Sequence, residues 1–183
     1  MTIFLIKYII LLREWLYVLE KNNINIKPCD LNELSLLTYD IETFEERFNI
    51  SSSILISKQY KDLFKKQIKI LLKNKEDFLL DTTWVIFHKN HLIGLIHFPI
   101  INNKKSEITI NITLSQDSEY LKSLEDIIYI ITNYLTNHRT FNTIYFESSL
   151  IDDDVLNKAM TKNYYFLYNH NLFSTTYVYK KRL

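Results

Sequence analysis

The hydrophobic and polar positions of this chain repeat with a helical period in its first half and with a strand period in much of its second half. In residues 60–73, apolar side chains recur every three or four positions and lysines fill the other face, which predicts an amphipathic helix. In residues 107–114, isoleucine alternates with polar residues, which predicts a strand with one buried face. The pattern as a whole predicts a single α+β domain.

Capping and turn residues divide this pattern into elements in the order β-α-α-α-β-β-β-α-β-α-β-β. Asp30 is predicted to cap the first helix of the domain, and asparagine-rich turns separate several of the strands. Helices are predicted at residues 31–38, 41–48, 60–73, 121–135 and 152–161. Strands are predicted at residues 24–27, 84–88, 92–99, 107–114, 143–146, 165–168 and 174–180.

Residues 1–22 are predicted to form an apolar N-terminal helix ahead of the domain of residues 23–183. Lys7, Arg13 and Glu14 interrupt the apolar run, whereas a helix that spans a membrane needs about 20 apolar residues. The segment also lacks the basic start and small-residue cleavage site of a signal peptide, so we expect a cytoplasmic protein. The helix could pack on its own domain, join two copies of the chain as a homodimer, or lie on a membrane surface. Packing on protein is the expected role, and a membrane partner is not expected.

Composition excludes several classes of protein and site. The chain has 183 residues and a formal charge of +1, which argues against a nucleic-acid partner. Its single cysteine, Cys29, excludes an internal disulfide and a multi-cysteine zinc site, and we expect it to be a core residue. Its single glycine, Gly94, excludes the glycine-rich nucleotide loops. His88, His91 and His97 share one hairpin but cannot all converge across a tight turn, so no metal is expected.

Three segments carry a resemblance to a known family. Residues 84–98 read WVIFHKNHLIGLIHF, residues 106–112 read SEITINI, and residues 152–164 read DDDVLNKAMTKNY. In this order, and preceded by the helical region of residues 31–50, they resemble the GNAT superfamily of acyl-CoA-dependent N-acetyltransferases. The resemblance extends over residues 24–183 and implies a mixed, mostly antiparallel central sheet flanked by helices. The N-terminal helix would be an addition to that fold.

The resemblance also implies a cofactor site. In the superfamily, the central strand splays from its neighbour, and its backbone pairs with the pantetheine arm of acetyl-CoA. The following loop binds the pyrophosphate through backbone N–H groups at the start of a helix. The residues at these positions are Ile112, Thr113, Leu114, Gln116, Ser118, Glu119, Tyr120, Leu121 and Lys122.

Two glutamates are candidates for acid–base chemistry on an acceptor, which would be a small-molecule or a protein amine. Glu107 leads the central strand and could act as a general base or orient the substrate. Glu147 ends the following strand and is a second candidate. The alternative for both is a surface glutamate at the end of a strand. Tyrosines near the C-terminus could line an acceptor groove or form half-buried sheet surface.

The sequence departs from the superfamily where the cofactor would bind. Gln116 matches the first position of the loop motif, but Glu119 and Leu121 replace its two small residues. Asp117 and Glu119 place carboxylates where a pyrophosphate would approach, with Lys122 as the nearby cation. Two functions therefore stay open. One is an acetyl-CoA-dependent N-acetyltransferase, and the other is an inactive GNAT-like interaction or regulatory module that no longer binds CoA.

Two departures fall in the last helix and after it. Ala159 stands where many members carry a tyrosine that protonates the departing thiolate. Asn163 replaces a glycine, and asparagine tolerates the left-handed backbone conformation that glycine adopts easily.

Overall fold

A central sheet with helices on both faces forms the protein, as the sequence predicts. The computed structural model describes residues 18–52, 56–73, 79–148, 153–170 and 175–181. The strands are β1 (Leu19–Lys21), β2 (Ile24–Pro28), β3 (Ser51–Ser52), β4 (Trp84–His88), β5 (His91–Asn102), β6 (Glu107–Leu114), β7 (Thr143–Ser148), β8 (Phe166–His170) and β9 (Thr175–Lys180). The helices are α1 (Leu31–Tyr39), α2 (Ile41–Phe48), α3 (Lys58–Leu71), α4 (Ser118–Leu121), α5 (Leu124–Asn137) and α6 (Asp153–Lys162).

The sheet is mixed and mostly antiparallel. Its strand order is β1-β2-β4-β5-β6-β7-β9-β8, and β3 pairs separately with β5. The β6–β7 and β3–β5 pairs are parallel, and the other described pairs are antiparallel. This arrangement confirms the predicted fold class and places the one parallel pair of long strands in the middle of the sheet.

The N-terminal part of the sheet differs from the prediction. Leu19–Lys21, which the sequence pattern assigned to the N-terminal helix, form β1 and pair with β2. Asn22 and Asn23 both have positive φ angles, 50° and 66°, which suit the tight turn between two such strands. Residues 1–17, which carry most of the predicted helix and its proposed dimer contact, lie outside the described residues. In the described part of the chain, no helix has the length and apolar character needed to cross a membrane.

Helix caps and apolar faces explain how the two helical layers attach to the sheet. Asp30 caps α1 as predicted, because its carboxylate accepts a bond of 2.7 Å from the Glu33 N–H while the Glu33 carboxylate accepts the Asp30 N–H. The helices α1, α2 and α3 pack on one face of the sheet through Phe44, Phe64 and neighbouring leucines. The helices α5 and α6 cover the other face over a larger core of isoleucines.

Gly94 lies in β5, opposite Ile86 of β4 and Leu114 of β6. A β-carbon added there would lie 2.8 Å from the Thr113 carbonyl oxygen and 2.9 Å from a methyl carbon of each of Ile86 and Leu114. The backbone of β5 therefore approaches β6 more closely than any side chain would allow. The one glycine of the chain lies where the last residues of β6 pair with β5.

Cys29 is fully buried between β2 and α1, and burial raises the pKa of its thiol well above the ordinary value. Because the thiolate is the nucleophile, we expect Cys29 to resist thiol reagents. Titration with a chromogenic disulfide should count no reactive thiol in the folded chain and one in denaturant. Reaction of the folded chain at the rate of free cysteine would contradict this burial.

Candidate functional site

The central feature of the site is the place where β6 and β7 stop pairing. Their register runs from Glu107 opposite Thr143 to Asn111 opposite Glu147, and β6 then continues to Leu114. Residues 112–114 still pair with β5 along their other edge. Their edge towards β7 therefore has no strand partner among the described residues. The backbone groups along this edge can hydrogen-bond an extended ligand that enters between the two strands.

A row of polar side chains crosses the sheet at the level where this cleft begins. His97, Asn111, Glu147 and Thr176 lie side by side on β5, β6, β7 and β9. Residues in register on neighbouring strands project from the same face of a sheet. Helices α1–α3 pack on this same face of the sheet. Leu95, two residues before His97 on β5, belongs to the core under these helices, and Thr113 lies two residues after Asn111 on the same face of β6. Asn111 and Glu147 form the last pair before the strands part.

Helix α3 contacts the end of β6 and the polar row through Tyr60. Its hydroxyl is hydrogen-bonded to the Thr113 hydroxyl, and its ring meets the ring of His97 edge-on with centroids 6.3 Å apart. Burial raises the pKa of Tyr60, so the phenol keeps its proton. His97 is half-buried, and its Nδ1 atom is enclosed without a hydrogen-bond partner. Desolvation lowers the pKa of His97, which keeps its imidazole neutral at neutral pH.

The lowered pKa of His97 predicts how stability depends on pH. The folded chain disfavours protonated His97, whereas the unfolded chain binds the proton near the ordinary value of 6.5. We expect the free energy of unfolding to decrease as the pH falls from 6.5 towards the lower pKa of the folded state. Asp40 and Asp126 also have lowered pKa values, but their contribution to the free energy of unfolding is lost only when the pH falls below their ordinary pKa of 3.8.

Denaturant unfolding between pH 8 and pH 5 measures this effect. His97→Gln should flatten the decrease, because glutamine does not titrate, and the other histidines contribute equally to both chains. Parallel curves for the two chains would show that His97 titrates normally in the folded state.

Glu107, the sequence-predicted base, lies at the far end of β6. It is opposite Asn102 and Thr143, six residues before Thr113. At the rise of a strand this separation is roughly 20 Å along β6. Desolvation raises the pKa of Tyr145, and the negative charge of Glu107 raises it further, so the Glu107 carboxylate acts on the part of the sheet near Tyr145. The structure brings Glu147 to the cleft and does not bring Glu107 there.

The loop after β6 bonds to itself. Asp117 caps α4, and its carboxylate accepts the Glu119 N–H at 3.0 Å. The Asp117 N–H donates to the Ser115 hydroxyl, and each N–H from Glu119 to Ser123 donates to Asp117 or Tyr120. These are the groups that would bind a pyrophosphate in a loop of this kind. An acidic side chain of the chain itself occupies the start of this helix.

The predicted cofactor residues divide into two groups by exposure. Gln116, Ser118, Glu119 and Lys122 are exposed, and so is Asp117 beside them, so this part of the loop surface carries two negative side chains and one positive side chain. Tyr120 and Leu121 instead pack inwards. The Tyr120 ring lies 5.8 Å from that of His88 and 6.1 Å from that of His91. These contacts hold the capped turn against the β4–β5 hairpin.

The C-terminal tyrosines do not act as one group. Tyr165 and Tyr177 are buried, and the Tyr165 hydroxyl bonds to the Thr132 hydroxyl of α5. Tyr164 and Tyr168 are exposed, and Tyr168 meets the ring of Tyr145 at 5.6 Å on the same face as the polar row.

The left-handed residue after α6 is Tyr164, with a φ of 63°, and not Asn163 as the sequence suggests. The Asn163 side chain instead donates to the backbone oxygens of Glu125 and Ala159. It therefore ties the end of α6 to α5.

Sequence reasoning identified the strands of the site but not the row that crosses them. The sequence presents His97 as one of three histidines of a hairpin, and it offers Glu147 as a second acid–base candidate with no link to His97. Their proximity follows from the register of β5, β6 and β7, which no local pattern encodes. The one local signal was Asn111, a polar residue with a strong hydrogen-bonding side chain inside an isoleucine-rich strand. In the described residues, no group of three or more His, Cys, Asp or Glu side chains is arranged to hold a metal ion.

Comparison with known proteins finds similarity in structure alone. No family model and no curated protein sequence matches the chain. A ribosomal-protein-S5-alanine acetyltransferase from Vibrio fischeri superposes with a TM-score of 0.62 at 8% identity, over 90% of this chain and 96% of that one. RimL, a ribosomal L7/L12 acetyltransferase solved with coenzyme A, gives 0.59 at 12% identity over 90% and 98%. The Campylobacter jejuni N-acetyltransferase PseH with acetyl coenzyme A gives 0.53 at 14% identity over 87% and 99%.

Proposed function

The chain has the fold of the GNAT superfamily, and from this premise we propose that it is an N-acetyltransferase that moves an acetyl group from a pantetheine thioester to an amine. The observation that carries the proposal is the unpaired edge of residues 112–114 next to Asn111 and Glu147. Backbone groups along this edge are costly to leave without a partner, so water, a side chain or a ligand must bind them. The Leu114 carbonyl oxygen accepts the Gln116 side-chain amide at 3.4 Å, and an extended ligand can bind the rest of the edge.

The residues of the cleft fit the pantetheine arm. This arm is extended and carries two amides, so it can pair with the backbone of residues 112–114 as an additional strand would. The Thr113 side chain is bonded to Tyr60, which fixes the position of this part of β6. The loop of residues 115–123 does not fit the pyrophosphate of CoA, because the N–H groups of Glu119, Tyr120 and Leu121 already donate to Asp117 and the exposed side chains include two carboxylates. A bound thioester supplies the electrophilic carbonyl carbon.

The polar row can hold and deprotonate the acceptor. Glu147 belongs to the last pair before the strands part, so it is placed to attract an ammonium group and to take its proton. Asn111, its neighbour on β6, can hydrogen-bond the amine and fix its direction. The net reaction forms a C–N bond, breaks the C–S bond, and transfers one proton from the amine to the released thiol.

Binding and thiol release test the proposal together. The chain is mixed with acetyl-CoA or with acetyl-pantetheine, and a panel of polyamines, amino acids and peptides is added as acceptors. Amine-dependent release of free thiol, with acetylated product seen by mass spectrometry, would support the proposal. Lack of calorimetric binding to both thioesters at millimolar concentration would contradict it.

One observation favours the second candidate, a GNAT-like interaction module. The Asp117 cap satisfies the start of α4 without any ligand, so the loop is stable in the absence of a cofactor. A module of this kind would bind neither thioester. The same calorimetry therefore separates the two functions.

A further inference from the structure

We infer that the site is selective for an acyl thioester on a pantetheine arm that carries no pyrophosphate at the loop of residues 115–123. The inference rests on the proposed function, and it names the class of acyl donor. Its basis is a contrast between two neighbouring parts of one site. The edge of residues 112–114 is open to an extended arm, whereas the loop that follows is closed to a polyanion.

The closure begins with the hydrogen bonds of the loop. A phosphate at a helix start needs N–H groups that are free to point at its oxygens. Here the Glu119 N–H donates to the Asp117 carboxylate at 3.0 Å, and the N–H groups of Tyr120 and Leu121 donate to the Asp117 carbonyl oxygen, each at 3.0 Å. A phosphate would have to displace a carboxylate of the chain itself to reach the Glu119 N–H.

The charges of the loop act in the same direction. Asp117 and Glu119 are exposed and lie two residues apart, and Lys122 is the single basic residue between Ser115 and Ser123. Like charges at short range raise the free energy of the complex, although salt screens the effect at an exposed site. Acetyl-CoA carries several negative charges, whereas acetyl-pantetheine carries none. The loop therefore penalises the nucleotide part of CoA and not its pantetheine part.

The position of the loop is fixed, so it does not open by a small rearrangement. Tyr120 is 8% exposed and packs against the rings of His88 and His91, and Leu121 packs against the main core. The Ser115 N–H also donates to the Ile93 carbonyl oxygen at 2.8 Å, which ties the start of the loop to β5. The capped turn is thus anchored at both ends.

Calorimetric titration of the full chain with acetyl-pantetheine and with acetyl-CoA at low ionic strength tests the inference. We expect acetyl-pantetheine to bind at least as tightly as acetyl-CoA. The double variant Asp117→Asn, Glu119→Gln removes both charges and keeps a good helix cap, since asparagine caps as well as aspartate does. It should strengthen binding of acetyl-CoA about fivefold or more and leave that of acetyl-pantetheine within about twofold.

A charge-matched control separates the local effect from a change in net charge. Glu42→Gln with Glu46→Gln also removes two exposed carboxylates, and both lie on α2, a helix that contributes no residue to the proposed thioester site. This variant should leave both affinities within about twofold of the parent. If acetyl-CoA binds the parent chain more than about tenfold tighter than acetyl-pantetheine, the inference is wrong and the proposed function stands. If neither thioester binds, the proposed function fails and the inference fails with it.

Discussion

Replacing Glu147 with glutamine is expected to lower the turnover of amine acetylation by a factor of about 10² to 10⁴, the range in which general base catalysis contributes. Glutamine has nearly the same size and keeps its place in the polar row beside Asn111 and Thr176, but it cannot accept a proton at neutral pH. The proposed thioester site is the edge of residues 112–114, so binding of the thioester should not change. The loss should therefore fall on kcat, and the KM for the thioester should stay the same.

Glu107→Gln is the matched control, because it makes the same chemical change on the neighbouring strand at the far end of the β6–β7 pair. We expect its turnover to stay within about twofold of the parent, since Glu107 does not reach the cleft. Thermal unfolding of both variants confirms that each is folded. A large loss for Glu107→Gln with little loss for Glu147→Gln would reverse the assignment and favour the base that the sequence alone suggests.

Replacing Gly94 with alanine is expected to destabilise the fold by about 1–3 kcal/mol, the usual cost of extra volume in a packed core. The new methyl group would lie 2.8 Å from the Thr113 carbonyl oxygen, which belongs to the backbone and cannot rotate away. The strand β6 would have to move from β5 at Thr113 and Leu114. If these residues bind the pantetheine arm as we propose, binding of the thioester should weaken as well. Denaturant unfolding and calorimetry measure the two effects.

A second substitution shows which contact dominates. Ile86→Val removes the Ile86 methyl carbon that lies 2.9 Å from the new group but leaves the contact with the Thr113 oxygen. Gly94→Ala should therefore cost less free energy of unfolding in the Ile86→Val background than in the parent chain, but it should still cost some. If Gly94→Ala costs nothing in the Ile86→Val background, then the Ile86 side chain, and not the β6 backbone, limits the space at Gly94.

Most elements of the fold can be predicted because their side chains repeat over several turns or pleats. The strands Trp84–His88 and Glu107–Leu114 and the helix Ile41–Phe48 have the predicted bounds. The strands Leu19–Lys21 and Ser51–Ser52 were missed, because two or three residues are too few to show a period. Leu19–Lys21 also follows an apolar run without a break, so the hairpin turn at Asn22 and Asn23 looks like the end of a helix.

The site could be predicted less well than the fold, because it depends on register and on hydrogen bonds that are not local in sequence. The sequence identifies Asp117 and Glu119 as charges near a phosphate position, but it does not show that the Asp117 carboxylate already accepts a hydrogen bond from the Glu119 N–H. It also favours Glu107 as the base and offers Glu147 only as a second candidate. Only the pairing of β6 with β7 shows that one lies at the open end of the strand pair and the other at its closed end.

The burial of Cys29 has a practical consequence for following this protein in solution. Because the single native thiol lies inside the core beside α1, a cysteine placed on the surface would be the one site that a maleimide dye or a nitroxide spin label could modify. Ser118→Cys would put such a label on the exposed first residue of α4 without removal of any native residue from the core. Its fluorescence or spectral line shape would then report on the turn itself while ligands are added.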